Sequence, residues 1–313
     1  MAETIQNVTL ASGVKEVNEL VQTLGETEFL QVTRGDADSL TLIAIRKKDG
    51  VQLYNPKGDL DNYLTAPERR KGQANVTTLE SFIALTNRYR DADSSMFCDP
   101  TFNAATLTAV LNYNRSGSEA AQRFGDHRVH YPFPYSEQWK TWTSVNGRWM
   151  KMVDFAQFME DNVLDLIQPE AIDPKGGISQ MLRMLDRQAG SPEQIIALSK
   201  GMKINVKKQL HQAIDLNSGE VQFQFDVANS NKDNLPVVAP GAFVISIPVF
   251  HQGDPLQLGV LFRYRAPENQ GEALLFRCDL YRPDQVFEFA LQEALDEAVK
   301  DTALPLYFGD PEV

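Results

Sequence analysis

Apolar and polar positions alternate most regularly between Gly241 and Gly309. Phe243, Ile245, Ile247 and Val249 recur at every second position, the period of a strand with one face buried. Gly253-Asp254-Pro255 supplies a turn, and Pro248, which lacks a donor for the ladder, marks an edge or a bulge. The next run places Leu258, Val260, Phe262 and Tyr264 on one face with Arg263 and Arg265 opposite. A third places Leu274, Phe276, Cys278 and Leu280 against Arg277 and Asp279. The short polar links between these runs predict antiparallel neighbours. The period then changes to three and four. Phe287, Ala290, Leu291, Ala294, Leu295 and Ala298 form one apolar stripe, opened by Pro283 and Asp284 at positions that suit a first helical turn. Such a stripe is expected to lie on the sheet face just made, each large side chain contributing roughly 1.5–3 kcal/mol by burial. A short closing strand follows.

The rest of the chain carries weaker versions of the same signals. A helix is expected over Gly13–Leu24, capped by Ser12, and a hairpin over Ser39–Lys47 and Val51–Tyr54 through Lys48-Asp49-Gly50. Thr77-Thr78-Leu79-Glu80 has the form of a capping box for a helix to Tyr89. Strands are expected at Ser95–Cys98 and Thr106–Tyr113. A helix over Asp154–Ile167 would take Asp154 as its cap, answered by Gln157, with Val153 stapled to Phe158. Two helices near Ile178–Gln188 and Pro192–Lys200 follow, the second capped by Ser191 and stopped by Gly201. Lys203–Leu216 and Glu220–Val227 form a hairpin pattern around Asn217-Ser218-Gly219. The predicted class is therefore α+β: antiparallel sheets with packed helices, ending in a five-stranded meander and a long helix. The expected organisation is an N-terminal α+β region over 1–170, a helical connector over 171–201 and a C-terminal sheet plus helix over 202–313, which can also pack as one compact unit.

Composition adds mainly exclusions. Apolar content of 42% and charged content of 23% are ordinary for a globular chain of 313 residues. No apolar run approaches a membrane span, and MAETIQNVTL lacks the regions of a signal peptide, so a cytoplasmic protein with no membrane partner is expected. Cys98 and Cys278 lie far apart and fit two reduced, buried thiols. The formal charge of −12 is shared by both halves of the chain. That balance disfavours nucleic acid, whose binders usually carry basic faces.

Against this acidic background a few clusters stand out. Arg263, Arg265 and Arg277 share one outward face of adjacent predicted strands, where they could grip phosphate or the acidic surface of another subunit, or pair locally with Asp279 and Glu272. Arg69, Arg70 and Lys71 form a short basic triplet in a polar passage, a solvated loop or a contact for an acidic partner. Trp139, Trp142 and Trp149, all the tryptophans of the chain, fall in one passage. They offer either a stacking platform or partner anchor, or a satellite core. Asp126, His127 and His130 come nearest to a ligand cluster, but residues three apart on a strand point to opposite faces. Asp91, Asp93 and Asp99 fit ordinary turn chemistry. Phosphate-loop, dinucleotide and nucleophile-elbow signatures are absent, so no catalytic residue, metal or cofactor is assigned.

The passage MVDFAQFMEDNVLDL, with IPVFHQGDP, FRYR and LYRPDQVFEFALQEAL, resembles the YfdQ-like family of phage and prophage proteins from about residue 30 onward. That resemblance implies a phage-encoded, non-virion protein of the host cytoplasm and brings no active residues with it. The leading expectation is a self-associating, non-enzymatic accessory protein that binds a host protein of DNA metabolism or defence. A single-stranded nucleic-acid binder using the arginine face and the tryptophans is the second. A metal-dependent nuclease or phosphoesterase around Asp126–His130 is the third.

Overall fold

The computed structural model describes residues 7–9, 28–34, 38–47, 50–54, 65–66, 69–115, 122–205, 210–216, 220–225, 237–267 and 273–312. The fold is α+β, as the alternation of periods predicts, and the chain divides into two compact units, Met1–Arg70 and Lys71–Val313. In the first unit β1 (Asn7–Thr9) lies parallel to β2 (Glu28–Arg34). β3 (Asp38–Lys47) and β4 (Gly50–Tyr54) extend the sheet antiparallel. Lys47 pairs with Gly50, so the two strands of the expected hairpin are antiparallel neighbours, while Lys48 and Asp49 of its turn lie outside the described residues. The helix expected over Gly13–Leu24 lies outside the described residues.

The second unit opens with β5 (Gly72–Asn75), α1 (Leu79–Tyr89), β6 (Ser95–Asp99), β7 (Thr106–Val110) and β8 (His127–Tyr131). It continues through α2 (Glu137–Val145), β9 (Met150–Lys151), α3 (Met152–Asp161), α4 (Gly177–Met184), β10 (Ala189–Gly190) and α5 (Pro192–Asn205). Then come β11 (Leu210–Asp215), β12 (Val221–Phe225), β13 (Val237–Ala239), β14 (Ala242–Pro248), β15 (Pro255–Arg265) and β16 (Leu275–Leu280). α6 (Pro283–Thr302) and β17 (Leu306–Phe308) close it. One mixed sheet has the order β17-β6-β7-β8-β5, its outer strands β17 and β5 parallel to their neighbours. A second has the order β10-β14-β15-β16-β9. A single apolar cluster takes side chains from both, from Met96 and Leu107 to Phe243 and Phe276.

The three strands β14, β15 and β16 form the antiparallel meander that their alternation predicts. Pro248 stands opposite Pro255 at the hairpin end, where neither misses a ladder donor. The meander does not extend to five. β11, β12 and β13 make a separate three-stranded sheet. The reason is competition for an edge. The outer side of β14 is taken by β10, which pairs Ala189 and Gly190 with Ala242 and Phe243, and by a bridge from Leu166 to Ile245. A side chain at Gly190 would sit 2.5 Å from the Pro240 ring, so only glycine permits this approach.

Helix boundaries shift where the sequence offers neighbouring caps. Thr78, not Thr77, caps α1, its hydroxyl accepting from Ser81 N at 3.2 Å. α3 starts two residues before Asp154, because β9 pairs with β16 and runs straight into the helix. Asp154 therefore sits in the first turn and Val153 is exposed, while Val163–Asp165 forms a separate 3-10 turn. Gly201 does not stop α5, which continues to Asn205 through the start of the expected strand at Lys203. Ser191 caps it as expected: Ser191 Oγ accepts from Gln194 N at 3.3 Å, and Gln194 Oε1 accepts from Ser191 N at 2.9 Å. Ser191→Ala removes that reciprocal box and is expected to cost about 1 kcal/mol, or about 2–4 °C in a thermal melt.

α6 begins at Pro283 with Asp284 in its first turn, as its pattern predicts, and buries Phe287, Leu291, Leu295 and Ala298. Phe287 packs among Phe102, Phe250 and Tyr135, with ring centroids 5.1, 5.7 and 6.2 Å away. No helix among the described residues is long and apolar enough to cross a membrane.

Candidate functional site

β14 begins at Ala242, opposite Leu261, so β15 outlasts it by the segment that carries Arg263, Tyr264 and Arg265. On its other side that segment pairs with β16, Arg263 opposite Arg277 and Arg265 opposite Leu275. Directly opposed residues share a face, so the period of the strands gathers Arg263, Arg265, Arg277 and Asp279 on one surface. Opposed like charges destabilise a ladder, and Asp279 answers this. Arg263 Nε donates to Asp279 Oδ2 at 2.5 Å, and Arg277 Nη2 donates to the same oxygen at 2.9 Å. Arg263 and Arg265 remain exposed, whereas Arg277 is half-buried.

Trp149 reaches this face from the residue before β9, whose two residues pair with Leu275 and Phe276. Its half-buried ring lies under two guanidinium groups, Arg277 at 4.7 Å and Arg265 at 5.0 Å from the centroid. Arg187 arrives from the link between α4 and β10, where its Nη1 donates to Gly241 O at 2.6 Å. Burial, and then the positive charge of Arg263, pull its pKa below the ordinary arginine value. It stays protonated all the same.

Trp149, Arg187, Arg263 and Tyr264 line a cleft of about 420 Å³, with Leu185 and Glu220 at its border. Counting the residues named, four arginines face two carboxylates, a local surplus of positive charge on an acidic chain. Guanidinium forks match the planar oxygens of carboxylate and phosphate, and the exposed Arg263 and Arg265 can still offer donors. The arrangement can bind an anion and orient it against an aromatic ring.

The other candidate residues fall elsewhere. Trp139 and Trp142 are core residues on α2, 1% and 0% exposed. Trp142 Nε1 donates to Asp165 Oδ2 at 2.8 Å, and Phe158 meets its ring edge-on at 4.9 Å. Arg69, Arg70 and Lys71 are exposed and precede β5 in the chain. His127 and His130 lie three apart on β8, the first against Tyr89 at 5.6 Å. His130 Nδ1 is 3.0 Å from Thr108 Oγ1, and burial lowers its pKa. No three His, Cys, Asp or Glu side chains among the described residues are placed to hold a metal ion. Asp91 and Asp99 do local work, binding Arg123 Nη2 at 2.6 Å and Thr101 Oγ1 at 2.6 Å. Cys98 and Cys278 are free buried thiols; burial pushes Cys98 up to about 12 and raises Cys278 as well.

Sequence spacing finds the three strand arginines but not Arg187, and it groups Trp149 with the other two tryptophans rather than with the arginines. Two-residue strands bring both residues in, and no periodicity can reveal a strand so short.

Fold and site together define an α+β protein with an arginine-lined cleft at one end of an antiparallel ladder. The chain belongs to the family described as "Uncharacterized conserved protein (DUF2303)", which matches residues 54–311 and so nearly all of the second unit. No curated protein and no solved structure matches it.

Proposed function

We propose that this chain is a non-enzymatic accessory protein, encoded by a phage or prophage, that self-associates in the host cytoplasm and acts by binding a host protein of DNA metabolism or defence. The arginine cleft is the contact for that partner, and an acidic segment is what it takes. One observation carries this reading: Arg187, Arg263, Arg265 and Arg277 converge beside Trp149 on a chain of net charge −12. The overall charge repels a long polyanion, while the local surplus still attracts a short acidic stretch within a Debye length of about 8 Å. The resemblance to YfdQ-like proteins supports the phage setting.

The test pairs light scattering with capture of host proteins. The intact chain is expected to run as an oligomer and retain a host protein. Arg263→Ala with Arg265→Ala is expected to weaken that capture about tenfold or more while leaving the thermal melt unchanged, because both residues are exposed. A monomer that captures nothing, or a variant that captures as well as the parent, overturns the proposal.

A second reading, a binder of single-stranded nucleic acid, is favoured by the meeting of Trp149 with the arginines, since stacking rings and cations are the usual means of holding bases and backbone. Retention of labelled oligothymidylate at moderate salt, with quenching of tryptophan fluorescence lost in Trp149→Ala, would support it over the first.

A further inference from the structure

A second cleft, of about 470 Å³, forms where the β14–β15 hairpin, α6 and the start of α1 meet. Its chemistry is the inverse of the first. Glu80, Asp254, Glu293 and Glu297 bring carboxylates to it from three distant stretches of chain, and neither lysine nor arginine lines it. The N-terminus of α1 adds a partial positive charge, which Glu80 in that first turn offsets. All four carboxylates are on exposed residues.

Part of the wall of this cleft is apolar. Leu256, Ala290 and Ala294 give it an aliphatic side, and Tyr131 and Phe250 an aromatic one. Tyr131 and Phe250 are fixed through Phe133, at ring separations of 4.7 and 4.9 Å. The turn bordering the cleft is set by Gln252 in the left-handed region (φ 63°) and by Gly253, where a side chain would come 3.2 Å from Phe250 O. Tyr131 is only 2% exposed and lines the cleft, and its hydroxyl makes no hydrogen bond among the described residues. A hydroxyl at the wall of a cleft, without a partner from the chain, is available to a ligand. Burial, and then the charge of Glu297, push the Tyr131 pKa up to about 12, which keeps the phenol neutral as a donor and acceptor.

The ligand class follows from the spacing of these groups. The carboxylates surround the cleft instead of converging, and no triad of ligating side chains suited to a metal ion exists among the described residues. A hydrated metal would also gain nothing from the aliphatic and aromatic part of the wall. A cation with its charge at the end of an apolar stem uses every part.

We infer that the cleft between the β14–β15 hairpin, α6 and α1 binds an organic cation, an ammonium or guanidinium group on an aliphatic stem. The stem lies along Leu256, Ala290 and Ala294, the aromatic rings favour the charge, and Glu293, Glu297 and the Tyr131 hydroxyl take the head. A free diamine and a lysine or arginine side chain of a bound peptide share this chemistry.

Calorimetric titration of the full chain distinguishes them, with 1,5-diaminopentane and N-acetyl-lysine methylamide as probes and 1-pentanol as the neutral control. At least one amine is expected to bind and 1-pentanol is not. Binding of the diamine alone points to a free polyamine, and tighter binding of the lysine derivative to a side chain of a partner. Glu293→Gln with Glu297→Gln is expected to weaken binding about tenfold, and Tyr131→Phe about threefold, without altering the melt. Failure of both amines to bind, equal binding by the double variant, or equal displacement by magnesium at the same concentration overturns the assignment. Neither probe carries the anionic group that the arginine cleft would read, so this result stands apart from the fate of that reading.

Discussion

Leu291→Asp abolishes cooperative folding of the second unit. Leu291 is 4% exposed at the middle of the buried stripe of α6, between Phe287 and Leu295, and belongs to the core shared by both sheets. The substitution removes an apolar side chain worth roughly 1.5–3 kcal/mol by burial and puts an unpartnered carboxylate in its place. An uncompensated buried charge adds about 3–5 kcal/mol, so the total is comparable with the 5–15 kcal/mol by which a domain is usually stable. Circular dichroism and a thermal melt measure it, with Glu288→Ala on the exposed side of the same helix as the control. Glu288→Ala keeps the parent melt. A soluble Leu291→Asp protein that also melts within a few degrees of the parent would show that α6 is not held by its stripe.

Trp142→Ala is the second large effect. Trp142 has no exposed surface, meets Phe158 edge-on at 4.9 Å and lies 6.0 Å from Phe243 on β14. Truncation leaves a cavity where α2 packs on that strand, expected to cost about 3–5 kcal/mol. It also strips Asp165 of the indole N–H that now donates to it at 2.8 Å. Trp142→Phe separates the two contributions, since it keeps most of the ring packing and loses the hydrogen bond. The urea midpoint is expected to fall in the order parent, Trp142→Phe, Trp142→Ala. Equal midpoints for the parent and Trp142→Ala would contradict the packing described.

These two residues also mark how far the sequence is legible. The stripe of α6 and the face alternation of β14, β15 and β16 are local periodicities backed by local punctuation, Pro283 at the helix start and Gly253 to Pro255 in the turn. Such features follow from neighbours in the chain and are therefore visible in it. The assignment of β11, β12 and β13 to their own sheet is different in kind. It depends on whether β10 or the β11–β12 hairpin occupies the outer side of β14, a contest between segments distant in sequence. Helix caps fall between these cases. Thr77 and Thr78 are chemically equivalent candidates, and only the entry of Phe82 and Ile83 into the core decides between them.

The arginine face shows the same division. Arg263, Arg265 and Arg277 are placed by strand period alone, so their company is foreseeable. Arg187 and Trp149 join them through β10 and β9, each only two residues long. The acidic cleft is further still from inspection. Glu80, Tyr131, Asp254 and Glu297 sit on four separate elements or turns, and no pattern along the chain links them.

β17 is parallel to β6, with Leu306 beside Met96, and is anchored by Met96 N donating to Pro305 O at 2.9 Å and Gly309 N to Cys98 O at 2.8 Å. An outer strand of that sheet thus comes from a stretch distant in sequence from its neighbour. During synthesis that flank of β6 stays bare until Leu306–Phe308 has been made, an unprotected ribbon of backbone. The β17 segment consequently acts as a latch, and completion of the sheet waits on its arrival.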